Sequence, residues 1–307
     1  MPPEICDYEN SPWRTEFWRG RDYEDRAERI AIGAMLPPRG TRLCEIGAGF
    51  GRLADFYHGY ERVILLDYSR TMLRDAVERL RGDPRFVFVA ADLYNLPLAD
   101  NALDTAVTVR VLHHVADSPR AFAEIARVVR PQGTYLTEFA NKRHLKAVLR
   151  YALSFSFAQN RRAPNPFALE PYEFVKLNFD FHPRYIAENL CAVNFVVQDK
   201  RAVSTFRIAL LKRIVPARFL AALDGLLQHP TSNFQVSPSI FFRAQSRKPG
   251  VSALNPALWR CPACGSTDLA ELRDALTCRA CSRAYPIVDG IVDLKEPQGG
   301  NGAREQG

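Results

Sequence analysis

The chain has 307 residues, a length that predicts one large and one small domain. Its hydrophobic share of 47% is typical of a core-forming protein. No apolar run approaches the roughly 18 residues of a membrane span, and the N-terminal sequence lacks the basic-then-apolar order of a signal peptide. Seven cysteines, four of them in one cluster, argue against a secreted disulfide framework and predict a reducing, cytoplasmic location.

The net charge of +7 is unevenly distributed along the chain. Residues 141–220 contain fourteen Lys/Arg and five Asp/Glu. Such a segment can bind RNA or a lipid head group, or it can be a solvated surface covered by ion pairs.

Residues 1–40 are predicted to form a helical cap. Apolar residues recur at helical spacing from Tyr23 onward, and the pair Pro37–Pro38 ends that helix before the first strand. The aromatic residues Trp13 and Trp18 precede it, and they either pack on the core or cover the mouth of a ligand site.

The central segment alternates strand and helix patterns, which predicts a parallel sheet with helices on both faces. The predicted strands are residues 42–46, 62–66, 86–90, 105–109 and 133–138, and the predicted helices are residues 51–57, 69–81 and 120–129. Ser118, followed by a proline, is predicted to cap the last of these helices.

The first strand runs into a glycine-rich turn, Glu45-Ile-Gly47-Ala48-Gly49-Phe-Gly51. A dinucleotide fingerprint has the spacing G-x-G-x-x-G, whereas here the glycines alternate and the long cation Arg52 follows the third one. This spacing disfavours an NAD(P) oxidoreductase. The negative charge of Glu45 suits a ligand with an amino group and a sulfonium rather than a pyrophosphate.

Acidic residues end the next two strands. Asp67 lies about twenty residues beyond the glycine turn, where a carboxylate can accept hydrogen bonds from two ribose hydroxyls. Asp92 and Leu93 follow the third strand and are predicted to bracket an adenine at the same edge of the sheet.

In this order, the motifs around Glu45, Asp67, Asp92, His113-His114 and Arg130-Pro-Gln-Gly resemble those of class I S-adenosylmethionine (SAM) methyltransferases. The resemblance covers about residues 40–140, and its nearest form is the ubiquinone/menaquinone-biosynthesis group. It implies a Rossmann-like seven-stranded methyltransferase sheet in an α/β domain. The implied cofactor residues are Glu45, Gly47, Ala48, Gly49, Gly51, Asp67, Tyr68, Asp92, Leu93 and Arg110. It does not name the methyl acceptor, because this fold supports many functions.

A general base is not identified by the sequence. His113, His114 and His182 are candidates, because imidazole titrates near neutral pH. Each also has a structural alternative, since a histidine after a strand or before a proline often bonds backbone. Asp180 is a further candidate acceptor-site group. The Asn-Pro-Pro-Tyr/Phe motif of amino-methylating nucleic-acid enzymes does not follow the fourth strand.

Residues 139–235 are predicted to form a lid or substrate region of the methyltransferase domain, which we place at residues 41–246. Within this region, residues 142–158 read as a basic amphipathic helix that serves as a lid, contacts a membrane surface or packs on the core. Residues 195–204 and 239–244 are predicted to be the closing antiparallel strands, with helices between them in residues 210–227.

A linker at residues 247–257 leads to two Cys-x-x-Cys pairs, Cys261/Cys264 and Cys278/Cys281. This spacing is typical of a tetrahedral structural Zn²⁺ site. Residues 258–296 resemble the small zinc-ribbon family that activates tRNA, rRNA and release-factor methyltransferases. The resemblance suggests a built-in stabiliser or a substrate-docking module. Residues 297–307 are predicted from their composition to be a disordered tail.

Three functions are carried forward. The first is a SAM-dependent methyltransferase that acts on a small-molecule or lipid-like acceptor. The second is an RNA or translation-factor methyltransferase that uses the ribbon and the basic segment of residues 141–220. The third is a non-catalytic, methyltransferase-like interaction protein.

Overall fold

The computed structural model describes residues 3–9, 18–154 and 163–295, which form a large twisted sheet with helices on both faces. The helices are α1 (Asp22–Met35), α2 (Arg70–Leu80), α3 (Ser118–Val128), α4 (Leu145–Ser154), α5 (Pro183–Ala192), α6 (Ala209–Ile214) and α7 (Ala217–Leu227). The first nine strands are β1 (Gly40–Ile46), β2 (Tyr60–Asp67), β3 (Phe86–Ala90), β4 (Leu103–Thr108), β5 (Val129–Ala140), β6 (Tyr172–Val175), β7 (Asn178–Asp180), β8 (Phe195–Val203) and β9 (Ser239–Ser246). The last four are β10 (Leu269–Glu271), β11 (Ala275–Cys278), β12 (Ala284–Val288) and β13 (Ile291–Asp293).

Seven strands form the predicted α/β sheet, in the order β3-β2-β1-β4-β5-β9-β8. The first five are parallel, whereas β9 and β8 are antiparallel to their neighbours, as predicted for the closing strands. Near-continuous apolar runs such as Val63–Leu66 are fully buried because helices cover both faces of a parallel sheet. The carboxyl ends of β1, β2, β3 and β4 therefore meet at one edge.

Two local predictions are wrong. The predicted helix at residues 51–57 is only one 3₁₀ turn, Ala54–Phe56. Gly51 has φ +69°, outside the helical region, and too few residues remain before β2 for an α-helix to form. The N-cap of α3 is Asp117, whose Oδ1 accepts a hydrogen bond of 3.1 Å from the Arg120 N–H, rather than Ser118.

The cysteine-rich segment continues the sheet. Strand β13 pairs in parallel with β3, and β12, β11 and β10 follow outward, so that the whole sheet has eleven strands. The Leu258 carbonyl also accepts a hydrogen bond of 2.9 Å from the Ala99 N–H. The ribbon thus covers what would otherwise be the exposed edge of β3.

The lid region adds α4, a small β6–β7 hairpin, α5, α6 and α7 to the end of the sheet near β5, β9 and β8. The basic helix predicted for residues 142–158 is present as α4, and the end of that range lies outside the described residues, as do Trp13 and the tail. Helix α7 packs against α1. In the described part of the chain, we find no helix long and apolar enough to cross a membrane.

Candidate cofactor cleft and four-cysteine centre

The glycine turn after β1 adopts a conformation that requires glycine. Gly47 and Gly49 have φ of +74° and +54°, and a Cβ on Gly47 would lie 2.3 Å from Cγ2 of Val111. The Gly47 N–H donates a hydrogen bond of 2.7 Å to the Leu66 carbonyl, which fixes the turn against the end of β2. The turn therefore brings its backbone to the carboxyl edge of the sheet without a side chain in the way.

Asp67 is held at this edge by backbone donors. Its Oδ2 accepts from the Gly49 N–H at 2.8 Å, and its Oδ1 accepts from the Ser69 N–H at 2.9 Å. Burial raises the pKa of the Asp67 carboxyl, and these two hydrogen bonds oppose that shift. Each carboxylate oxygen has more than one acceptor site, so both oxygens can accept a further hydrogen bond from a ligand.

These groups line one cleft, and most of the sequence-predicted cofactor residues meet there. The predicted residues in its lining are Gly47, Gly49, Asp67, Tyr68, Asp92, Leu93, Arg110 and His114. Asp92 is the N-cap of a 3₁₀ turn, with its Oδ1 accepting from the Tyr94 N–H at 2.7 Å, so its carboxylate has a fixed orientation. Four strand ends thus contribute to a single cleft, as a nucleotide site at the edge of an open α/β sheet requires.

Glu45, Ala48 and Gly51 do not line the cleft. Glu45 is 3% exposed, and its Oε2 accepts no hydrogen bond from the described residues. Burial raises the pKa of the Glu45 carboxyl to about 7, and the nearby Tyr57 hydroxyl and Arg52 guanidinium oppose the shift. Glu45 therefore lies beneath the glycine turn as a buried carboxyl with unused acceptor capacity.

The three candidate histidines have different environments. The His114 ring lines the cleft, and its Nδ1 lies 2.9 Å from the Leu177 carbonyl. Burial lowers the pKa of His114, so the ring is neutral near pH 7. Because a carbonyl only accepts, Nδ1 carries the proton and Nε2 is an acceptor. His113 is outside the lining, and burial lowers its pKa well below the usual value. His182 is the N-cap of α5, since its Nδ1 accepts from the Arg184 N–H at 3.1 Å.

A buried ion cluster connects the cleft to α1. Arg110 lines the cleft with φ +60°, and its guanidinium pairs with Glu28, which is fully buried. The Arg52 guanidinium pairs with the other oxygen of Glu28 at 2.9 Å. Both guanidinium groups lie over the Trp18 ring, at 4.3 Å for Arg52 and 5.1 Å for Arg110. The cluster holds the Arg110 side chain in place at the cleft.

The N-terminal segment, residues 3–9, contributes to the cleft in a way that the sequence did not indicate. Ile5, Cys6 and Tyr8 line it, and the Tyr8 hydroxyl lies 2.8 Å from His114 Nε2. Glu9 accepts hydrogen bonds from the backbone N–H groups of Arg70 and Thr71 and so caps α2. These contacts depend on single side chains without periodicity, so no sequence pattern could reveal them.

A second cavity, which we call the lid cavity, lies between α4, the β6–β7 hairpin and residues 163–166. Its volume is about 270 Å³, and Lys142, Tyr172, Phe174 and Asp180 are among its lining residues. Burial raises the pKa of Asp180 to about 6, which the charges of Lys142 and Arg207 oppose. The hairpin joins this cavity to the cleft, because its Leu177 carbonyl binds His114.

The four cysteines of the ribbon converge as predicted. Their Sγ atoms all lie within 4.8 Å of one another, with Cys261–Cys281 at 3.7 Å and Cys264–Cys278 at 3.5 Å. Four sulfurs bound tetrahedrally at about 2.3 Å from one ion lie about 3.8 Å apart. The arrangement is therefore a preformed four-thiol metal site.

Two family profiles match separate parts of the chain. Residues 44–137 match the methyltransferase domain profile, and residues 260–290 match that of Trm112p-like proteins. The chain carries a methyltransferase domain followed by a Trm112p-like domain. The methyltransferase match contains the glycine turn, Asp67, Asp92 and Arg110, and the Trm112p-like match contains all four cysteines.

Similar proteins agree with this assignment. A demethylmenaquinone methyltransferase of Roseiflexus sp. is 35% identical over 129 residues, which are 41% of this chain and 53% of that protein. A SAM-dependent methyltransferase of Mesorhizobium loti superposes with a TM-score of 0.52 at 21% identity, over 71% of this chain and 97% of the other. A chain from the complex of the Haloferax volcanii Trm112 methyltransferase activator with a putative methyltransferase superposes with a TM-score of 0.51 at 16% identity, over 77% and 96%. The structures show the shared fold.

The sequence matches are partial. The chain spans between about a quarter and a half of the length of the first curated relatives that it matches. The lid region, residues 139–235, lies outside both family profiles. Nothing in these matches therefore assigns a substrate to it.

Proposed function

We propose that the protein is a SAM-dependent methyltransferase that acts on a small-molecule or lipid-like acceptor. The observation that carries this proposal is the cleft at the carboxyl ends of β1, β2, β3 and β4. There, Asp67 is positioned by the Gly49 and Ser69 N–H groups, beside Asp92 and Leu93. A ribose, an adenine and a short charged tail match this sequence of groups along one edge of the sheet.

The residues present fit SAM. Asp67 has acceptor capacity for the ribose hydroxyls, and Asp92 with Leu93 would hold the adenine. The glycine turn, with Gly47 and Gly49 lining the cleft, leaves room for the ligand at the turn. Near the methionine end, Arg110 is a fixed cation suited to a carboxylate. Glu45 lies beneath the turn, and its Oε2, which accepts no hydrogen bond from the described residues, suits an amino group that reaches past the turn.

Bound SAM would supply an electrophilic methyl group on a sulfonium, whose leaving group departs neutral. The contribution of the protein is then to position the acceptor in line and to exclude water. Among the described residues, the N-terminal segment covers part of the cleft, which limits the access of water, and the ion cluster fixes Arg110 near the methionine end of the cofactor.

His114 is the best-placed of the three candidate bases. It lines the cleft, it is neutral near pH 7, and its Nε2 is an acceptor bound by the Tyr8 hydroxyl. A hydroxyl group of the methyl acceptor, if it took the place of the Tyr8 hydroxyl, would donate its proton to the same nitrogen. His113 does not line the cleft, and the Nδ1 of His182 is used to cap α5.

The lid cavity is the proposed acceptor site. Aromatic rings of Tyr172 and Phe174 and the buried cation Lys142 suit a ring-bearing, partly polar molecule. The methyl acceptor of the Roseiflexus relative, a demethylmenaquinone, is a small molecule, which supports the same class.

The metal of the four-cysteine centre is proposed to be Zn²⁺ in a structural role. All four ligand positions are filled by thiols, so none is left for substrate. The alternative acceptor, RNA, is supported by the positive charge of residues 141–220, but the ribbon adds no cationic surface, with six Lys/Arg and seven Asp/Glu in residues 259–307.

Two measurements test the proposal. Calorimetry with SAM and with its demethylated product should show binding of both, and a chain that binds neither is not a methyltransferase. Incubation with tritiated-methyl SAM and fractionated cell extract should then label organic-soluble metabolites. Label in RNA or in protein instead would refute the small-molecule acceptor while leaving the enzyme assignment intact.

A further inference from the structure

Helix α4 presents an apolar stripe to solvent. Leu145, Leu149 and Leu153 are 56%, 53% and 58% exposed and recur one turn apart. None of the residues of α4 is fully buried. A helix of a globular protein normally turns such a stripe inward, whereas the described residues leave this one exposed.

Helices α6 and α7 repeat this arrangement. On α6 and just before it, Ile208, Leu210 and Ile214 are exposed. On α7, the exposed apolar residues are Phe219, Leu223 and Leu226, whereas the opposite side of the helix is buried against α1. The apolar exposure is therefore a property of one side of each helix.

Helix α4 and the segment that contains α6 and α7 begin close to one another. The Leu145 N–H donates to the Val236 carbonyl at 2.8 Å, and the next residue, Ser237, shares a hydrogen bond of 2.8 Å with Thr205, which precedes α6. Burial lowers the pKa of His144, at the start of α4, and the charges of Arg150, Lys146 and Arg207 lower it further. Cations of both segments therefore lie close to one another. We call the exposed sides of α4, α6 and α7 together the lid face.

The charge of the lid face has one sign. Exposed cations flank the apolar stripes: Lys146 and Arg150 on α4, Arg213 on α6 and Arg218 on α7. In residues 143–154 and 207–227 the single carboxylate is Asp224, which is fully buried. Apolar side chains with a border of cations and no exposed acid match the boundary between the head groups and the acyl chains of an anionic bilayer.

We propose that the lid face docks on the surface of an anionic lipid bilayer. A polyanion such as RNA would use the cations but not the exposed Leu and Ile side chains. A second copy of the chain would bring two surfaces of like charge together. Of these three occupants, only the bilayer uses both features of the face.

Docking in this orientation has a consequence for the lid cavity. Ala147 and Arg150 of α4, and His144 just before it, line that cavity, while Leu145 and Leu149 on the same helix face outward. A lipid-like acceptor would then pass from the bilayer along α4 to the cavity. This last step rests on the proposed function, whereas the docking itself does not.

The test is co-sedimentation of the full, metal-loaded chain with vesicles of phosphatidylcholine alone or mixed with phosphatidylglycerol. We expect binding to the mixed vesicles, weak binding to the neutral ones, and a loss of binding as salt rises. Lys146→Glu and Arg213→Glu should each lower the partition coefficient about fivefold or more, since one cation near an anionic surface contributes about 1 kcal/mol. Leu149→Ser and Leu223→Ser should each lower it about tenfold.

Matched controls lie outside the lid face. Val251→Ser removes a side chain that is 82% exposed, and Arg247→Glu reverses an exposed cation, and neither should change vesicle binding. Each variant is also titrated with SAM, so that failure of the cofactor proposal is seen separately from failure of docking. Equal binding to both vesicle types, no binding to either, or equal losses in the controls would overturn the proposal. So would a dimer in solution that Leu149→Ser and Leu223→Ser make monomeric.

Discussion

Asp67 has a structural role and a proposed role in ligand binding, and a comparison with a similar aspartate elsewhere in the sheet distinguishes the two. Asp67→Asn places an amide where two backbone N–H groups require acceptors and removes the charge that strengthens hydrogen bonds to ribose. We expect SAM affinity to fall about 10- to 100-fold, since a hydrogen bond to a charged group contributes about 1.5–3 kcal/mol. Calorimetric titration gives the value.

The control for this variant is Asp104→Asn. Asp104 likewise accepts from two backbone N–H groups, those of Thr41 and Arg42, both at 2.8 Å. It lies at the opposite end of the sheet from the cleft, near the start of β4. Because Asp104 also pairs with Arg130 at 2.7 Å, we expect this variant to destabilise the fold at least as much, without changing SAM affinity. Equal affinity losses in the two variants would mean that Asp67 acts only through the fold.

Glu45 makes a prediction about pH. Its carboxyl has a pKa of about 7 in the folded chain and about 4.5 when unfolded, so folding favours the protonated form. The contribution of Glu45 to the free energy of unfolding is therefore most favourable below pH 4.5, and it becomes less favourable as the pH rises to about 7. Glu45→Gln imitates the protonated form and should therefore stabilise the ligand-free protein at pH 8, on the order of 3 kcal/mol, with little effect at pH 4.5.

Denaturant unfolding of the two proteins at both pH values measures this difference. The same variant should bind SAM more weakly at pH 8, because the proposed partner of the cofactor amino group is lost. A variant that gains no stability at pH 8 relative to pH 4.5 would show that the carboxyl is not penalised by burial. A carboxyl whose burial lowers stability is expected at a ligand site rather than in an inert core.

At the scale of elements, regular patterns predicted the structure and single contacts did not. The strand patterns around residues 62–66 and 86–90 were confirmed because buried parallel strands read as continuous apolar runs. The predicted helix at residues 51–57 failed because apolar spacing there reports burial of Leu53 and Tyr57, while Gly51 with φ +69° sets the backbone. The spacing of apolar residues does not reveal the backbone dihedral angle φ.

The candidate site shows the same limit. Asp67 and Asp92 could be located from the sequence because each directly follows a strand, and strand ends meet at one edge. Tyr8 could not, because its position depends on a contact with His114 across 106 residues of chain. Glu45 precedes the turn in sequence, yet its side chain falls beneath the cleft rather than in its lining.

The N-terminal segment gives a prediction at this scale. Residues 3–9 are held across the cleft by Tyr8, bound to His114, and by Glu9, bound to the start of α2. Tyr8→Phe with Glu9→Gln weakens both attachments, each of about 1 kcal/mol, and should speed dissociation of the demethylated product about tenfold or more. Stopped-flow fluorescence measures that rate.

A control removes a third contact of the same segment. Lys176→Ala removes an ion pair with Glu4 in which both side chains are more than half exposed, and such pairs contribute little. It should change the rate less than twofold. If Tyr8→Phe with Glu9→Gln leaves dissociation unchanged, the segment is a fixed wall that the ligand does not have to pass.

At the scale of the whole molecule, the ribbon and the cofactor cleft both depend on strand β3. Strand β3 leads into Asp92 and Leu93 at the cleft, and along its outer edge it pairs with β13. The Leu294 N–H donates to the Ala90 carbonyl at 2.8 Å, two residues before Asp92. Without the ribbon, β3 would become an unpaired edge strand, with the adenine end of the cleft at its tip.

Metal removal should therefore affect a site that the metal does not touch. So small a module cannot bury enough apolar surface to fold by itself, so the four thiols need their ion. A chelator, or Cys278→Ser, should unfold the ribbon, lower the melting temperature by about 10 °C or more, and weaken SAM binding through β3. Cys191→Ser, which changes an exposed cysteine outside the centre, should do neither.

A metal-free chain that binds SAM as tightly as the loaded one would show that the cleft is independent of the ribbon. The ribbon would then be a docking module attached to a self-sufficient enzyme. Loss of both properties together would instead make the ribbon a part of the sheet on which the cleft depends.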